Sequence, residues 1–540
     1  MNIIEFTSPG RFPTMVYDPG RWWDVLESKN DHSLQRFSAN AAWWRTICGP
    51  ATEGFRKNSP KRLFRRSVRD AATTAPGAAA ALEALRRPQA YGAAAAYIQT
   101  LTPLAEHLDT LNASQNELWF SLEAGVHVVG LDYASSRALV EYARQRTLLS
   151  DLIVAALAEA PREIDLLLVR VTTPEDLLCA LIAVRVLRER HPALHACLAD
   201  HSFERFSLAP HMPRLRSAGT LNTIFDSIIE SPEDRDVIAP ALAAAGGRTL
   251  RGYLTREHVP AAEGASRAVA PPMVATFAPV AILRTMLARS TSGIDVTASI
   301  DRVVTLAAGG YGNIVFADDA LPPAVIDDLR LRLTARGLSV RWSCRCATMP
   351  EATPELFRRM RESGCCEVAF AFDRSSYDQM ESLLKAAGSA GVGVHAVLTI
   401  GSPGETAAEA EDAVARLSRS LRDLPGATFW LDRFTLVPGS PAMHDPAAHG
   451  VTPIDSEGDM PAAHSYWPVE AHAADTLAIE ERHPELGRRL AHELGWDRLG
   501  RGPGAAAAVF LHFVSGHGTL FKARPDNPFA NPLMAPAARA

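Results

Sequence analysis

The sequence predicts an α/β protein in which two parallel-sheet domains follow one another. Three observations carry that expectation. Short apolar runs rich in β-branched residues alternate with segments of helical length across residues 164–242. A linker rich in Ala, Gly and Pro at residues 261–272 then interrupts the alternation. Beyond it six further runs, ending at residue 434, resume the alternation with a different rhythm.

Residues 1–117 are expected to form a mainly helical region. Its paired tryptophans, Trp22–Trp23 and Trp43–Trp44, read as core or interface anchors. The basic stretch Arg56, Lys57, Lys61, Arg62, Arg65, Arg66 and Arg69 reads as a solvated helix face in preference to a dock for an acidic peptide or a phosphate. Residues 118–255 hold the first sheet domain. A strand is expected at 164–171, and Pro174 opens a helix to about Arg190 with Glu175 and Asp176 in its first turn. Further strands are expected at 194–198 and 224–229, followed by a helix through Leu242. Thr172 and Thr173 follow the first of these strands and Asp200 and His201 the second, on the edge where such sheets bind ligands.

Residues 270–445 carry strands expected at 273–277, 313–317, 339–343, 367–372, 393–399 and 428–434. Six βα units without a closing pair predict a partial (β/α)6 barrel, whose reacting groups sit at the C-terminal strand ends. Asp318, Asp319, Asp373, Arg374, Glu405, Cys344 and Cys346 are the candidates there. Residues 446–540 read as an extension that packs on the barrel mouth or hangs from its end.

Composition narrows the function. The chain has 540 residues, 47% of them hydrophobic, enough for two or three cores. A net charge of −6 offers no general basic field for nucleic acid. The opening MNIIEFTSPG lacks the basic flank and apolar stretch of a secretory leader, and the apolar run at 505–514 is too short to cross a bilayer. Seven unevenly spread cysteines are no disulfide framework, so the expected setting is the reducing cytoplasm, with no membrane partner. No internal repeat is visible. Gly309–Gly312 reads as a turn at a helix end, and Gly516-His517-Gly518 as a flexible turn; no Ser-His-Asp signature stands out.

Three local motifs occur in order. Phe316-Ala-Asp-Asp-Ala-Leu-Pro-Pro323 follows a strand, Thr399-Ile-Gly-Ser-Pro-Gly-Glu-Thr406 ends another, and Leu436-Val-Pro-Gly-Ser-Pro441 follows the last. Each alone is first of all a turn. At this spacing they resemble the radical SAM superfamily, and residues 360–373 (MRESGCCEVAFAFD) resemble its segment leading to a ribose-contacting acidic residue, here Asp373. A Rossmann-like domain directly before such a barrel is the layout of the cobalamin-binding-domain type, and the helical N-terminal region resembles members that act on peptide natural products. The resemblance covers roughly residues 118–445. It implies SAM as a candidate ligand, held by Asp318, Asp319, Asp373, Gly401, Pro403, Gly404, Glu405, Pro438 and Gly439.

The superfamily's CxxxCxxC motif is missing. In that motif three thiolates bind three irons of a cluster whose fourth iron holds SAM. Here the matching stretch, residues 277–285, places Ala278, Ile282 and Thr285 at the ligand positions, and no cysteine lies between Cys197 and Cys344. An iron–sulfur cluster is therefore not expected. Cobalamin is expected to bind weakly or not at all, because Leu198-Ala199-Asp200-His201 stands where a Gly-Gly pair lets the nucleotide tail approach. A metal site from Cys344, Cys346, Cys365 and Cys366 is conceivable. The two pairs are expected at opposite strand ends, and buried small residues are the preferred reading. The expected function is that of a non-catalytic or chemically altered partner in the modification of a peptide natural product, bound to a precursor peptide or a sister enzyme. The alternative is a SAM-binding enzyme of the cobalamin-dependent radical SAM type, a methyltransferase or peptide maturase, with a non-canonical or relocated cofactor site.

Overall fold

The structure, a computed structural model, describes residues 2–7, 16–18, 33–48, 63–85, 87–91, 94–121, 125–171, 173–201, 208–245, 250–259, 273–277, 280–284, 296–316, 323–347, 352–424, 427–434, 436, 442, 445–453, 458–460, 466–468 and 473–494. The chain is α/β and divides into two units: residues 1–88, 100–303 and 455–463 form the first, and residues 89–99, 304–454 and 464–540 the second. Among the described residues no helix is long and apolar enough to cross a membrane.

The first unit holds strands β1 (Asn2–Thr7), β2 (Val16–Asp18), β3 (Ser33–Ser38), β4 (Leu118–Ser121), β5 (Gly125–Val128) and β6 (Leu166–Arg170). They are followed by β7 (His195–Asp200), β8 (Ser227–Ile229), β9 (Gly252–Leu254), β10 (Met273–Phe277) and β11 (Val280–Arg284). Its main sheet is parallel throughout, in the order β3-β1-β6-β7-β8-β9. Strand order reverses direction at β1, the arrangement of a doubly wound sheet. The run LLLVR of β6 is buried at every position because helices cover both faces of such a sheet.

The helix Pro174–Arg190 has the expected bounds. The Thr173 side chain accepts from the Asp176 N–H at 3.2 Å, proline takes the first helical position, and Leu177 through Val184 are buried all round. Ile3, Leu166, Leu168, Cys197, Ile229, Ile238 and Leu242 form one core cluster. Each large apolar side chain so buried contributes roughly 1.5–3 kcal/mol relative to exposure.

Two expectations change here. The first forty residues, expected to be helical, supply β1 and β3 to the main sheet; helices follow at Ala39–Ile47, Leu63–Ala84 and Ala94–Ser114. The strand expected at 224–229 is shorter, since Leu221–Thr223 is a 3-10 turn and the Phe225 N–H returns to the Leu221 carbonyl at 2.9 Å.

Strand β10 was expected to open the barrel. It pairs antiparallel with β11, Phe277 opposite Val280 and Met273 opposite Arg284, and also with β2. The stretch matched to the cluster loop is thus partly a strand: Ile282 stands in the ladder opposite Ala275. Ala278 and Thr285 lie outside the described residues.

The second unit holds β12 (Asn313–Phe316), β13 (Arg341–Ala347), β14 (Cys365–Phe372), β15 (Gly393–Ile400) and β16 (Thr428–Arg433), all parallel and neighbours in chain order. Helices Pro323–Ala335, Pro354–Glu362, Tyr377–Ser389 and Ala407–Arg422 connect them. Phe370 packs edge-on against Phe357 of the helix Pro354–Glu362, with ring centroids 5.9 Å apart. Side chains alternate along a strand, so Val368, Phe370 and Phe372 face the helices, and Glu367, Ala369 and Ala371 lie on the opposite, inner face.

Gly364 enters β14 at φ 99°, with the Val340 carbonyl oxygen 2.2 Å from where a Cβ would lie; only glycine fits. Beyond β16 come β17 (Val451–Pro453) and β18 (Tyr466–Pro468), paired antiparallel, and the helix Ala473–Glu493. That helix packs on the helix Ala407–Arg422: Arg482 pairs with Glu411, and Glu493 accepts from the Ser418 hydroxyl. Gly516-His517-Gly518 and the apolar run at 505–514 lie outside the described residues.

Candidate functional site

The residues singled out at strand ends fall into three groups. Asp318, Asp319, Pro438 and Gly439 lie outside the described residues. Asp373 and the turn Gly401–Glu405 close β14 and β15, and Asp200 and His201 end β7 in the first unit.

Asp373 is exposed and caps the chain that follows β14. Its Oδ1 accepts from the Ser375 N–H at 3.0 Å and from the Ser375 hydroxyl at 2.5 Å, and its own N–H donates to Ser376 Oγ at 2.9 Å. Arg374 turns away from it to Glu409, 3.1 Å distant. The carboxylate is therefore reachable but already serves a cap.

Gly401 and Gly404 adopt φ of 81° and 77°, which explains the glycines of the turn. A Cβ on Gly401 would stand 3.6 Å from Ile479, a buried side chain of the extension helix. Pro403 lies between the two glycines and is half-buried. Glu405, expected among the SAM-binding groups, is 1% exposed. Its Oε1 accepts from the Tyr377 hydroxyl at 2.8 Å and its Oε2 from the Ser402 N–H at 2.8 Å. Burial raises its pKa, and those two hydrogen bonds oppose the rise.

The helix Ala407–Arg422 begins with a reciprocal cap between Thr406 and Glu409, and the Ala407 N–H donates to Asp475 at 3.0 Å. The N-terminus that follows the glycine turn is thus closed by three side chains of the protein itself.

In the first unit, Asp200 lies within a buried ion cluster. Its Oδ2 is 2.9 Å from Arg170 Nε and 2.7 Å from Arg235 Nη1, and Glu5 stands 4.0 Å from the same Arg170 nitrogen. All four are at most 5% exposed. His201 is fully buried; its Nε2 donates to the Ile229 carbonyl at 3.0 Å and its Nδ1 accepts from the Leu208 N–H at 3.2 Å. Burial holds this imidazole below its usual pKa, so it is neutral and structural. Thr173 caps a helix, and Thr172 lies outside the described residues.

The cysteine pairs depart from expectation in part. Cys365 and Cys366 open β14 and Cys346 stands near the far end of β13, opposite Phe370, but Cys344 is a buried neighbour of Cys365. Cys366 donates to the Trp342 carbonyl at 3.3 Å, and burial pushes its thiol up to about 12. Among the described residues no group of three or more His, Cys, Asp or Glu side chains could hold a metal ion.

Sequence reasoning missed Glu367. This side chain is fully buried on the inner face of β14, neither carboxyl oxygen has a hydrogen-bond partner among the described residues, and burial raises its pKa well above the carboxylate range. Ser343, its register partner on β13, is 1% exposed, and its hydroxyl likewise lacks a partner among the described residues. A glutamate inside the apolar run CCEVAFAF was the available signal.

No described protein family matches the chain, and no curated protein matches it. Among solved structures it is similar to the radical S-adenosylmethionine methyltransferase TsrM from Kitasatospora setae with tryptophan substrate and the SAM analogue aza-SAM bound. The identity is 12% and the TM-score 0.40, over 73% of this chain and 97% of that one. It is also similar to TsrM with cobalamin and a [4Fe-4S] cluster bound, at 13% identity and a TM-score of 0.33, over 72% of this chain and 90% of that one. At these scores neither likeness carries the reading that follows.

Proposed function

We propose that this chain is a radical-SAM-like protein without the superfamily's cluster, and that it serves as a non-catalytic or chemically altered partner in the modification of a peptide natural product. The observation that carries the reading is the β10–β11 hairpin. A CxxxCxxC loop must wrap three thiolates round one cluster, whereas the chain matched to it runs back along β10 with Ile282 in the ladder. Neither the residue types nor the extended backbone fit such a cluster, and no step is drawn through one.

The strand ends support the same reading. Glu405, the N–H groups after the glycine turn and the Asp200 carboxylate are all engaged by the protein's own groups. Side chains fill the place after β7 where a cobalamin tail would need bare backbone, since Asp200 and His201 are both buried there. A precursor peptide or a sister enzyme is the partner this reading calls for, and a cytoplasmic setting goes with it.

The exposed Asp373 favours a second reading. Its carboxylate follows β14 and is open to solvent, and a carboxylate there could accept from the hydroxyls of a ribose. The chain would then be a SAM-binding enzyme, a methyltransferase or peptide maturase with a relocated cofactor site.

Two measurements on the full chain separate these readings. After anaerobic reconstitution with iron and sulfide, the protein is expected to stay colourless and free of stoichiometric iron. A bound cluster that survives Cys344→Ala with Cys346→Ala would overturn the central proposal. Calorimetric titration with SAM is expected to show no binding; saturable heat lost in Asp373→Asn would establish the second reading instead.

A further inference from the structure

We infer that Glu367 and Ser343 form a receptor for an ammonium group on the inner face of the second unit's sheet. The inference stands apart from the proposed function, because it concerns neither the cluster nor the strand-end turns and holds for a scaffold as well as for an enzyme.

The geometry begins with register. Ser343 and Glu367 are paired across β13 and β14, and Glu367 is paired with Gly393 across β14 and β15. Register partners on parallel strands share a face and stand about 4.8 Å apart. Ser343 and Glu367 therefore project side by side from the sheet, on the side away from the helices. At Gly393 a Cβ would come within 3.6 Å of the Glu367 Cβ and Cγ, so the glycine leaves that flank of the glutamate without a side chain.

The chemistry follows from unmet hydrogen bonding. Glu367 Oε1, Glu367 Oε2 and Ser343 Oγ are buried oxygens without a hydrogen-bond partner among the described residues. Such groups are costly to leave unpaired, at about 1–3 kcal/mol each and more when charged. An ammonium group has three N–H donors and no acceptor. Three acceptor oxygens on adjacent strands match it in number and charge. A neutral hydroxyl would satisfy at most one of the three.

Burial alone pushes the Glu367 carboxyl well above its usual pKa, against ionisation. Docking an ammonium beside it would let the carboxyl ionise, with its proton released to solvent and the new ion pair sharing one desolvated site. The group could be carried by a free amine or by a lysine side chain of a bound peptide. Both present the same –NH3+ head on a flexible alkyl stem.

The test is calorimetric titration of the full-length protein at neutral pH with n-butylammonium chloride and, in a second arm, a short lysine-containing peptide with a blocked amino terminus. Tetramethylammonium chloride, a cation without N–H donors, is the control. Saturable binding of n-butylammonium is expected, weakened at least tenfold in Glu367→Gln and several-fold in Ser343→Ala, with none for tetramethylammonium. Titrations in buffers of different ionisation enthalpy should show close to one proton released per amine bound, and none in Glu367→Gln. A free-amine source is identified by binding in the first arm alone, and a peptide source by much tighter binding in the second. Absence of binding in both arms, an equal response to tetramethylammonium, or an unchanged Glu367→Gln affinity would each overturn the inference. If Glu367→Gln does not fold, Ser343→Ala and the proton count decide.

Discussion

The Tyr377 hydroxyl lies 2.8 Å from the Glu405 carboxylate and 2.9 Å from the Thr399 carbonyl, tying the helix after β14 to the turn after β15. The pair is buried, so its loss is felt in stability. Tyr377→Phe leaves the carboxyl oxygen without its partner, and the expected cost is about 1–3 kcal/mol in urea unfolding. A cost near zero would show that water reaches Glu405.

The same carboxyl sets a pH dependence. Burial raises the Glu405 pKa in the fold above its unfolded value. An acid raised in this way contributes stability that is fully present below its unfolded pKa and lost as pH rises through the raised folded value. Glu405→Gln removes that loss, so its stability relative to the parent should improve as pH climbs from the acid range toward neutrality. Parallel denaturant midpoints for the two proteins at every pH would contradict this.

Asp373→Ala should lower stability by about 1 kcal/mol through loss of the cap on Ser375, with recovery in Asp373→Asn, whose side-chain oxygen can still accept. Thermal unfolding of the three proteins makes the comparison. Equal midpoints for the parent and the alanine variant would show that the carboxylate is not used as a cap.

The ion cluster of the first unit offers a larger effect. Asp200→Ala takes away the carboxylate between Arg170 and Arg235 and leaves buried guanidinium groups short of countercharge. The expected destabilisation is about 3–5 kcal/mol. A loss under about 1 kcal/mol, typical of exposed pairs, would mean that solvent screens the cluster.

Gly458→Ala tests how the segment 458–460 joins the first unit. A Cβ there would fall 2.1 Å from the Ala134 carbonyl oxygen, and neighbouring Asp459 accepts from the Ser136 N–H at 2.7 Å at the start of a helix. The Ala134 carbonyl is backbone and cannot give way cheaply. Destabilisation by about 1–3 kcal/mol is expected, with faster proteolysis near residue 458. An unchanged digest and midpoint would show that the segment docks loosely.

Local signals carried most of what the sequence revealed. The helix Pro174–Arg190 was readable because its cap, its proline and its acidic first turn all lie within four residues. The strands β12 to β16 were readable from apolar runs bounded by turns. β1 and β3 were not, because β3 is a strand through its pairing with β1, and β1 through its pairing with β6, far along the chain. The hairpin at β10 and β11 was obscured by matching that stretch to a cluster loop. At the strand ends the residue types named the positions, but only the fold reveals that Glu405 points to Tyr377 and that Cys344 adjoins Cys365. Period-two alternation puts Glu367 on one face of its strand; its burial depends on what covers that face.

The position of β1 between β3 and β6 has a consequence in time. The Asn2 N–H donates to Asp165, 163 positions further along the chain. A ribosome adding about 5–20 residues per second needs on the order of ten to thirty seconds to make that stretch. Through that interval β1 has one edge open, carrying apolar side chains and unpaired backbone groups, the combination that invites pairing with the wrong strand. Closing so long a loop is slow compared with forming the local βα units of the second unit. Assembly of the first unit's sheet is therefore the step at which a chaperone would bind and at which newly made chains would be lost to aggregation.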